Sequence, residues 1–290
     1  MRALNLFICL FIILHDSLSA VIQPSPANGY HLRVGVPLAA KIRREEAASK
    51  ETRIVGGSQV TAASPVSYQA GIVAKLTTGW TSICGGSLIS STRVLTAAHC
   101  WWDGQSQARS FTIVLGSLTI FTGGTRQDTS DVVVHPQWTV NALHDIAMIK
   151  IKAVSFNNNI QVVPLPTNAD INLTFDGFSG LITGYGKTTD AQNSFPATTS
   201  LHQTTVPIIT NAVCQRSFSV KIDGSHVCTS GSGGKGTCEG DSGGPLTIVR
   251  RNQRILAGVV SFGPDSGCQA GSPSVFTRVT AYLSWINSHM

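Results

Sequence analysis

The segment from Cys238 to Pro245, which reads C-E-G-D-S-G-G-P, constrains this chain more than any other feature. It places Ser242 on a tight turn between glycines, which reach positive φ without steric cost and let backbone N–H groups approach a ligand. A serine hydroxyl is a poor nucleophile unless a base removes its proton and N–H donors receive the developing oxyanion. The turn therefore makes Ser242 a candidate nucleophile, although such turns also serve as plain connectors.

Two further segments complete the pattern. Residues 96–100 read T-A-A-H-C and place His99 beside a cysteine, while residues 53–57 read R-I-V-G-G. His99 is the only one of the 8 histidines that lies beside a cysteine. The three segments in this order favour one shared chemistry over three unrelated turns.

The first 20 residues are typical of a secretory signal peptide. Arg2 precedes an apolar run from Leu4 to Leu14, and small residues end the segment at Ala20. The run is too short to span a membrane, and no later stretch approaches the roughly 18 apolar residues that a span needs. We therefore expect a secreted, soluble protein that has no membrane partner.

Removal of the signal removes Cys9 and leaves an even number of cysteines. An even count in a secreted chain predicts disulfides in an oxidising compartment, but spacing alone does not choose the pairs. Zinc is not favoured, because C-x-x-C and H-x-x-x-H patterns are absent, and residues 116–125 lack the carboxylates that calcium requires. We expect no metal and no cofactor. The remaining cysteines are Cys84, Cys100, Cys214, Cys228, Cys238 and Cys268.

The net charge of +6 does not indicate nucleic-acid binding. From Ile54 onward there are 14 Lys and Arg against 11 Asp and Glu, so much of the excess lies before Ile54. The basic cluster at residues 250–254 is typical of a solvated hairpin turn.

Residues 21–53 differ from the rest of the chain. They begin with prolines, end in the charged run Lys41 to Lys50, contain no cysteine and show little apolar periodicity. The composition predicts a mobile activation propeptide that ends at Arg53, a bond that a trypsin-like protease could cut. Because it has no cysteine, it should be lost after cleavage rather than stay covalently tethered.

From Ile54 the pattern predicts an all-β structure. Short β-branched runs alternate with Gly, Pro, Asn, Asp and Ser, which favours barrels or sandwiches over a parallel α/β sheet. We expect an N-terminal β-barrel over 54–160, then a linker, a C-terminal β-barrel and a terminal helix over 161–290. The helix is predicted from the spacing of Val279, Tyr282, Leu283 and Ile286. The predicted strands are 66–74, 86–90, 110–115, 131–134, 146–151, 180–184, 202–208, 245–249 and 256–262.

Ile54 to Met290 resembles the chymotrypsin family of secreted serine protease zymogens, of the kind found among insect digestive enzymes. The resemblance implies two six-stranded antiparallel Greek-key barrels packed together, with the active site between them and a C-terminal helix. It also implies that His99 is the general base, Asp145 orients its imidazole, and Ser242 is the nucleophile. The backbone N–H groups of Gly240 and Ser242 would form the oxyanion hole.

The resemblance further implies an activation step. Cleavage after Arg53 would free the amino group of Ile54, which would pair with Asp241 and order the oxyanion loop, because a buried carboxylate without a partner is costly. An amine whose pKa is raised by its partner stabilises the active state at low pH. That contribution is lost as pH rises through the raised pKa. The implied disulfides are Cys84–Cys100, Cys214–Cys228 and Cys238–Cys268.

Substrate preference is expected to come from four residues around one pocket, namely Gly236, Ser261, Gly263 and Ser274. A preference for Lys or Arg needs a carboxylate at Gly236, and none is present. Gly263 leaves the pocket mouth open, whereas Ser274 narrows its deep end where wide-pocket relatives usually have glycine. We therefore expect chymotrypsin-like cleavage after large apolar or aromatic residues. A broad elastase-like or collagenolytic specificity is the alternative.

A rival of another class is a catalytically inactive binding protein on the same scaffold, but such proteins usually lose a triad residue, and this chain keeps all three. A cascade protease would typically carry cysteine-rich modules, which residues 21–53 lack. We expect a digestive, monomeric hydrolase, with the gut lumen as one location. Its expected partners are protein and peptide substrates, an activating trypsin-like protease and proteinaceous inhibitors.

Overall fold

The computed structural model describes residues 27–48, 58–62, 65–190, 200–264 and 266–290. The predicted signal peptide and the predicted cleavage site at Arg53 and Ile54 lie outside these residues. Within the described ranges, no helix combines the length and the apolar character needed to cross a membrane.

In the described part of the chain, fourteen strands form two antiparallel sheets, which confirms the all-β prediction. The first sheet has the order β6-β5-β2-β3-β4-β8-β7, and the second has the order β1-β10-β11-β14-β13-β12-β9. The strands are β1 Ser58–Gln59, β2 Gln69–Leu76, β3 Thr81–Ser90, β4 Arg93–Thr96, β5 Ala108–Leu115, β6 Thr125–Thr129, β7 Val132–Val134, β8 Ala147–Lys150, β9 Ser179–Gly184, β10 His202–Ile209, β11 His226–Thr229, β12 Pro245–Arg250, β13 Gln253–Phe262 and β14 Ser274–Arg278.

The second sheet closes on itself. β9 pairs with both β12 and β10, so six strands form a ring, and the short β1 is added outside it on β10. Closure removes the exposed strand edges that invite aggregation. The two predicted barrels are thus confirmed, with a seventh strand in each sheet.

The described residues form few helices, and all but one of these are short. α1 spans Val36–Ala48 and follows a π-helical turn at His31–Gly35, α2 spans Asn211–Gln215, and α3 spans Leu283–Ser288 after a 3₁₀ turn at Val279–Tyr282. Leu283 and Ile286 of α3 are buried in the main core beside residues of the first sheet. The predicted C-terminal helix is confirmed, and it fastens the end of the chain to the first barrel.

One expectation about the propeptide is wrong for residues 27–48. Instead of a mobile segment, the structure shows the turn and α1 packed against the first sheet, with β3 as the main neighbour. The physical reason is a short apolar face. Leu38, Ala39 and Ile42 lie on one side of α1 and are at most 5% exposed, because they share a core cluster with Ile83.

Candidate active site

The pairing of β4 with β8 brings His99 and Asp145 together. Thr96, the last residue of β4, lies opposite Ala147, the first residue of β8. Because the strands are antiparallel, the residues that follow β4 and those that precede β8 meet at the same end of the sheet. His99 lies in the 3₁₀ turn Ala98–Cys100 just beyond β4, and Asp145 comes just before β8.

Asp145 is fully buried and its carboxylate accepts three hydrogen bonds. Oδ1 accepts the backbone N–H of His99 at 3.0 Å, and Oδ2 lies 2.8 Å from the Nδ1 atom of His99. Ser261 of β13 donates its hydroxyl to Oδ2 at 2.6 Å. Burial of a carboxylate is costly unless such donors satisfy its oxygens, and together they fix the imidazole so that Nδ1 faces Asp145 and Nε2 faces away.

The turn that carries Ser242 requires glycine at two positions. Gly240 has φ +97° and Gly243 has φ +81°, which lie in the region that residues with a Cβ rarely adopt. A Cβ at Gly243 would also lie 2.2 Å from Oγ1 of Thr96. The turn of the second sheet therefore packs directly against the first sheet, beside the strand that leads to His99.

The same turn leaves two backbone donors unused. The N–H group of Gly243 donates to the carbonyl of Val260 at 2.8 Å. In the described part of the chain, the N–H groups of Gly240 and Ser242 donate to no acceptor. These are the two groups predicted to hold an oxyanion.

A residue that the sequence analysis missed lies between His99 and Ser242. The ring of Tyr30, from the propeptide, packs edge-on against the His99 ring with 4.9 Å between centroids. Burial raises the pKa of Tyr30 well above its usual value, and an interaction with the Ser242 side chain opposes that rise. His99 is 0% exposed, and its Nε2 atom is buried without a hydrogen bond to any described residue. The structure brings all three predicted residues to one place, which Tyr30 covers.

Asp241 is a buried carboxylate on the inner side of the turn. It accepts the backbone N–H of Gly186 at 2.9 Å and that of Cys238 at 2.8 Å. Burial raises the pKa of Asp241 to about 6, although both hydrogen bonds act in the opposite direction. Among the described residues no cation pairs with it. Its predicted partner Ile54 lies outside those residues.

The four predicted pocket residues lie in two places around the turn. Ser261 and Gly263 line a cleft together with Ser242. Ser274 lies behind Gly236, because its hydroxyl accepts the N–H of Thr237 at 3.1 Å and a Cβ on Gly236 would lie 2.8 Å from that oxygen. A Cβ on Gly263 would meet nothing within 4 Å. The space beside Gly263 is therefore open, whereas the hydroxyl of Ser274, bound to the N–H of Thr237, occupies the space beside Gly236.

Asp190 also lines the cleft beside Ser242, although no sequence pattern pointed to it. Its carboxylate accepts the backbone N–H groups of Cys268 and Gln269 at 2.8 and 2.7 Å, and so holds the loop on the far side of the cleft. Nearby, Glu239 at the rim forms an ion pair with Lys187. The Asp190 carboxylate thus has hydrogen-bond partners, and the Glu239 carboxylate has an ion-pair partner.

The three disulfides have the pairing that the resemblance implied. Cys84–Cys100 joins β3 to the turn of His99, Cys238–Cys268 joins the turn of Ser242 to the loop held by Asp190, and Cys214–Cys228 joins α2 to β11. Two clusters of potential metal ligands are built around the first two of these disulfides. Disulfide sulfurs are not the thiolates that bind metals, so neither cluster offers a zinc ligand set.

Comparisons with known proteins agree with this geometry. The family model described as Trypsin matches residues 54–286. A collagenase from Hypoderma lineatum is 35% identical over 243 residues, which cover 83% of this chain and 88% of that protein. A chymotrypsin from Phaedon cochleariae is 35% identical over 246 residues, covering 81% of this chain and 82% of that protein.

Another protein and a solved structure are also similar to this chain. The chymotrypsin-like elastase family member 1 of Bos taurus is 36% identical over 246 residues, covering 81% of this chain and 89% of that protein. The solved structure of HL collagenase superposes with a TM-score of 0.72 at 33% identity and covers 81% of this chain and 98% of that one.

Proposed function

This chain belongs to the trypsin family of serine endopeptidases, and we propose that it is a secreted zymogen whose catalytic residues are His99, Asp145 and Ser242. The hydrogen bonds from His99 and Ser261 to the Asp145 carboxylate carry this proposal. They hold one nitrogen of the imidazole on a buried acid and leave Nε2 as the acceptor for the proton of Ser242.

In this mechanism the hydroxyl oxygen of Ser242 attacks the carbonyl carbon of the scissile peptide bond. His99 takes the hydroxyl proton on Nε2 and then gives it to the leaving amine, so that an acyl-enzyme forms. Water attacks the acyl-enzyme by the same route in reverse, which frees the acid product and restores Ser242. The N–H groups of Gly240 and Ser242 receive the oxyanion, and the loss of one such donor typically costs about 3 kcal/mol of transition-state stabilisation.

We assign activation to cleavage after Arg53 by a trypsin-like protease. The support is Asp241, whose buried carboxylate lies directly before Ser242 and whose pKa is raised to about 6. The new amino group of Ile54 would neutralise this charge and stabilise the turn that holds the oxyanion donors. The propeptide would span residues 21–53 and the signal peptide residues 1–20, ahead of two barrels at 54–160 and 161–290.

The pocket supports cleavage after large apolar or aromatic residues. Gly236, Ser261, Gly263 and Ser274 would form its walls, and no carboxylate stands at Gly236 to bind Lys or Arg. The hydroxyl of Ser274, fixed against Thr237, favours a second candidate, a broad specificity that includes Leu and smaller residues. The relatives named elastase and collagenase give that candidate further support.

A secreted, digestive role follows from the same features. The signal-like N-terminus and the three disulfides support an extracellular, oxidising environment, for which the gut lumen is our candidate. The substrates would be proteins and peptides, and proteinaceous protease inhibitors would bind the same cleft. We propose a monomer that needs neither metal nor cofactor.

The test begins with the full chain, cleaved after Arg53 by trypsin that is then inactivated. The mature enzyme is assayed on peptides that differ only in Phe, Tyr, Leu, Ala or Arg before the cut, and an organophosphate label is mapped. We expect the label on Ser242 and the fastest turnover of the Phe or Tyr peptide. A label elsewhere would refute the catalytic assignment, and fastest turnover of the Arg peptide would refute the pocket assignment.

A further inference from the structure

The propeptide does more in this structure than precede the cleavage site, because residues 27–48 cover one side of the candidate active site. Tyr30 lies against the His99 ring and donates its hydroxyl to the carbonyl of Ile83 at 2.8 Å. Tyr30 is only 4% exposed and His99 is 0% exposed. A substrate that reaches Ser242 must therefore displace this ring.

Polar contacts fix the start of the segment on the first barrel. The backbone N–H of His31 donates to Oδ2 of Asp103 at 2.7 Å, and that of Gly29 donates to the carbonyl of Asp103 at 2.9 Å. The Nδ1 atom of His31 lies 2.9 Å from the hydroxyl of Ser82. These contacts fix two backbone positions and one side chain, as a specific ligand requires.

The apolar face of α1 packs against the rim of the oxyanion turn. A Cβ on Gly240 would lie 2.5 Å from a methyl carbon of Leu38, so the two residues are in direct contact. Leu38 and Ile42 are each 5% exposed, whereas Leu32, in the preceding turn, is 48% exposed. Burial of leucine and isoleucine side chains is a main source of binding free energy, so this face contributes to the affinity of the segment for the barrel.

Glu46 fastens the far end of α1. Its carboxylate accepts the backbone N–H of Ile120 at 2.9 Å, that of Phe121 at 3.0 Å and the hydroxyl of Thr122 at 2.9 Å. The neighbouring Glu45 instead pairs with Lys41 within the helix, at i,i+4 and 3.7 Å, and makes no hydrogen bond or ion pair with the barrel among the described residues. Hydrogen bonds to a charged group are stronger than neutral ones. Glu46 is thus a third anchor. It binds the loop at residues 120–122, which is far from the Ser242 turn in the sequence.

We propose that residues 27–48 are an inhibitory ligand of the mature enzyme, bound on the side of the cleft formed by Ser82, Ile83, His99 and Asp103. This inference rests on the proposed function. These polar and apolar contacts are made by residues 27–48, so cleavage after Arg53 does not remove them. The released segment remains noncovalently bound at high concentration and dissociates on dilution. Ser261 and Gly263 line the opposite side of the cleft, where space remains open.

The experiment compares one cleaved preparation before and after removal of the segment. The full chain is cleaved after Arg53, trypsin is inactivated, and activity is followed after dilution. We expect activity per molecule to rise on dilution and after gel filtration. Because trypsin also cuts after Lys and Arg inside the segment, for example at Arg33 and Lys41, an intact synthetic peptide of residues 21–53 is added back. It should restore inhibition, with an inhibition constant of about 1 µM or tighter. Calorimetry on the same components measures binding independently of turnover.

Two matched pairs of full-chain variants test the named contacts. Leu38→Ala should weaken the re-added segment about 30-fold or more, because it truncates a buried side chain, whereas Leu32→Ala should change it less than about twofold. Glu46→Gln should weaken it about tenfold, because it removes a charged acceptor, and Glu45→Gln should have little effect. These residues are absent from the mature enzyme, so its intrinsic activity serves as an internal control.

The outcomes separate the two proposals. An active mature enzyme that neither binds nor is inhibited by the segment at about 100 µM overturns the inhibitory ligand and leaves the catalytic assignment intact. Equal effects in both members of each pair would overturn the binding mode. A mature enzyme that binds the segment but shows neither turnover nor Ser242 labelling overturns the proposed function.

Discussion

The two barrels contribute to the site in different ways. On the first, His99 and Asp145 are joined by strand pairing and by hydrogen bonds that, among the described residues, satisfy their buried side-chain polar atoms apart from Nε2 of His99. On the second, the turn of Ser242 is built on Asp241, a buried acid whose pKa is raised to about 6. His99 and Asp145 are thus already joined in this structure, whereas the turn of Ser242 has a buried carboxylate without a cation among the described residues.

This difference separates two kinds of control. Cleavage after Arg53 should act on the second barrel, where a cation is needed. The polar contacts of the propeptide lie on the first barrel, where Tyr30 covers His99, although its Leu38 also contacts Gly240 of the second. Changes at Asp145 or His31 should therefore act separately from changes at Asp241.

The largest expected effect is that of Asp145→Asn on the first barrel. The amide can donate to Nδ1 of His99, so Nε2 then carries the proton and cannot accept one from Ser242. We expect kcat of the mature enzyme to fall about 10⁴-fold. Asp131→Asn, at an exposed carboxylate 3.8 Å from Lys150, should change kcat less than about twofold. A loss below about tenfold for Asp145→Asn would remove Asp145 from the mechanism.

On the second barrel, Asp241→Asn should have opposite effects on precursor and product. The raised pKa of Asp241 means that its ionised form destabilises the precursor, a cost that appears as pH rises from about 4 to about 6 and persists above. The variant precursor should therefore gain free energy of unfolding relative to the native precursor between pH 4 and pH 7 in urea titrations. After cleavage, kcat/KM should fall about 10²- to 10³-fold, because the Ile54 amine loses its partner.

The matched control for that experiment is Asp131→Asn, at the exposed carboxylate beside Lys150. It should leave both the stability of the precursor and kcat/KM of the product nearly unchanged. Loss of activity without any gain in precursor stability would show that Asp241 acts through hydrogen bonds to Cys238 and Gly186 rather than through its charge.

The sequence predicted the site better than its surroundings for a physical reason. Ser242, His99 and their disulfides lie in short segments whose residue types are dictated by local chemistry and backbone conformation. β1 and β6, by contrast, contain almost no apolar residues, and β1 consists of Ser58 and Gln59 paired with β10. Such edge strands are set by pairing with residues far away in the sequence, so no local pattern announces them.

The packing of the propeptide against the first barrel was not predicted, for a related reason. Its buried apolar residues are Ala27, Tyr30, Leu38, Ala39 and Ile42, which are spread over turns and only part of a helix, beside the buried His31. The charges between Lys41 and Lys50 dominated the composition, although Glu46 in that run is an anchor rather than solvated surface. The spacing of Leu38 and Ile42, with Glu46 four residues later, is the signal that could have revealed one binding face.

A smaller effect, on the first barrel again, concerns the pH dependence of propeptide binding. Burial lowers the pKa of His31 to about 4, and the nearby His99 acts in the same direction while Asp103 opposes both. Tyr30 and the hydroxyl of Ser82 also face its ring. Because the bound state disfavours the charged imidazole, affinity is complete above pH about 6.5 and weakens as pH falls toward about 4.

Calorimetry of the released segment on the mature enzyme measures this dependence without relying on turnover. We expect affinity to fall by up to about tenfold per pH unit between pH 6.5 and 4.5. His31→Gln in the segment should flatten the profile while retaining a side chain able to hydrogen-bond with Ser82. An unchanged profile in His31→Gln would assign the pH dependence to another group.

The smallest expected effect concerns the second barrel and the depth of the pocket. Ser274→Gly removes the side chain beside Gly236, which makes room for larger rings, so the ratio of kcat/KM for Phe over Leu peptides should rise about fivefold. It also leaves the N–H of Thr237 without its acceptor, which should lower kcat/KM for both peptides. Ser274→Ala is the matched control, since it loses the same hydrogen bond but keeps Cβ. Its Phe-to-Leu ratio should stay within about twofold of the native ratio. Equal ratios in both variants would show that the hydrogen bond, rather than the space beside Gly236, sets the preference, and the pocket would then be specified by backbone position instead of by side-chain volume.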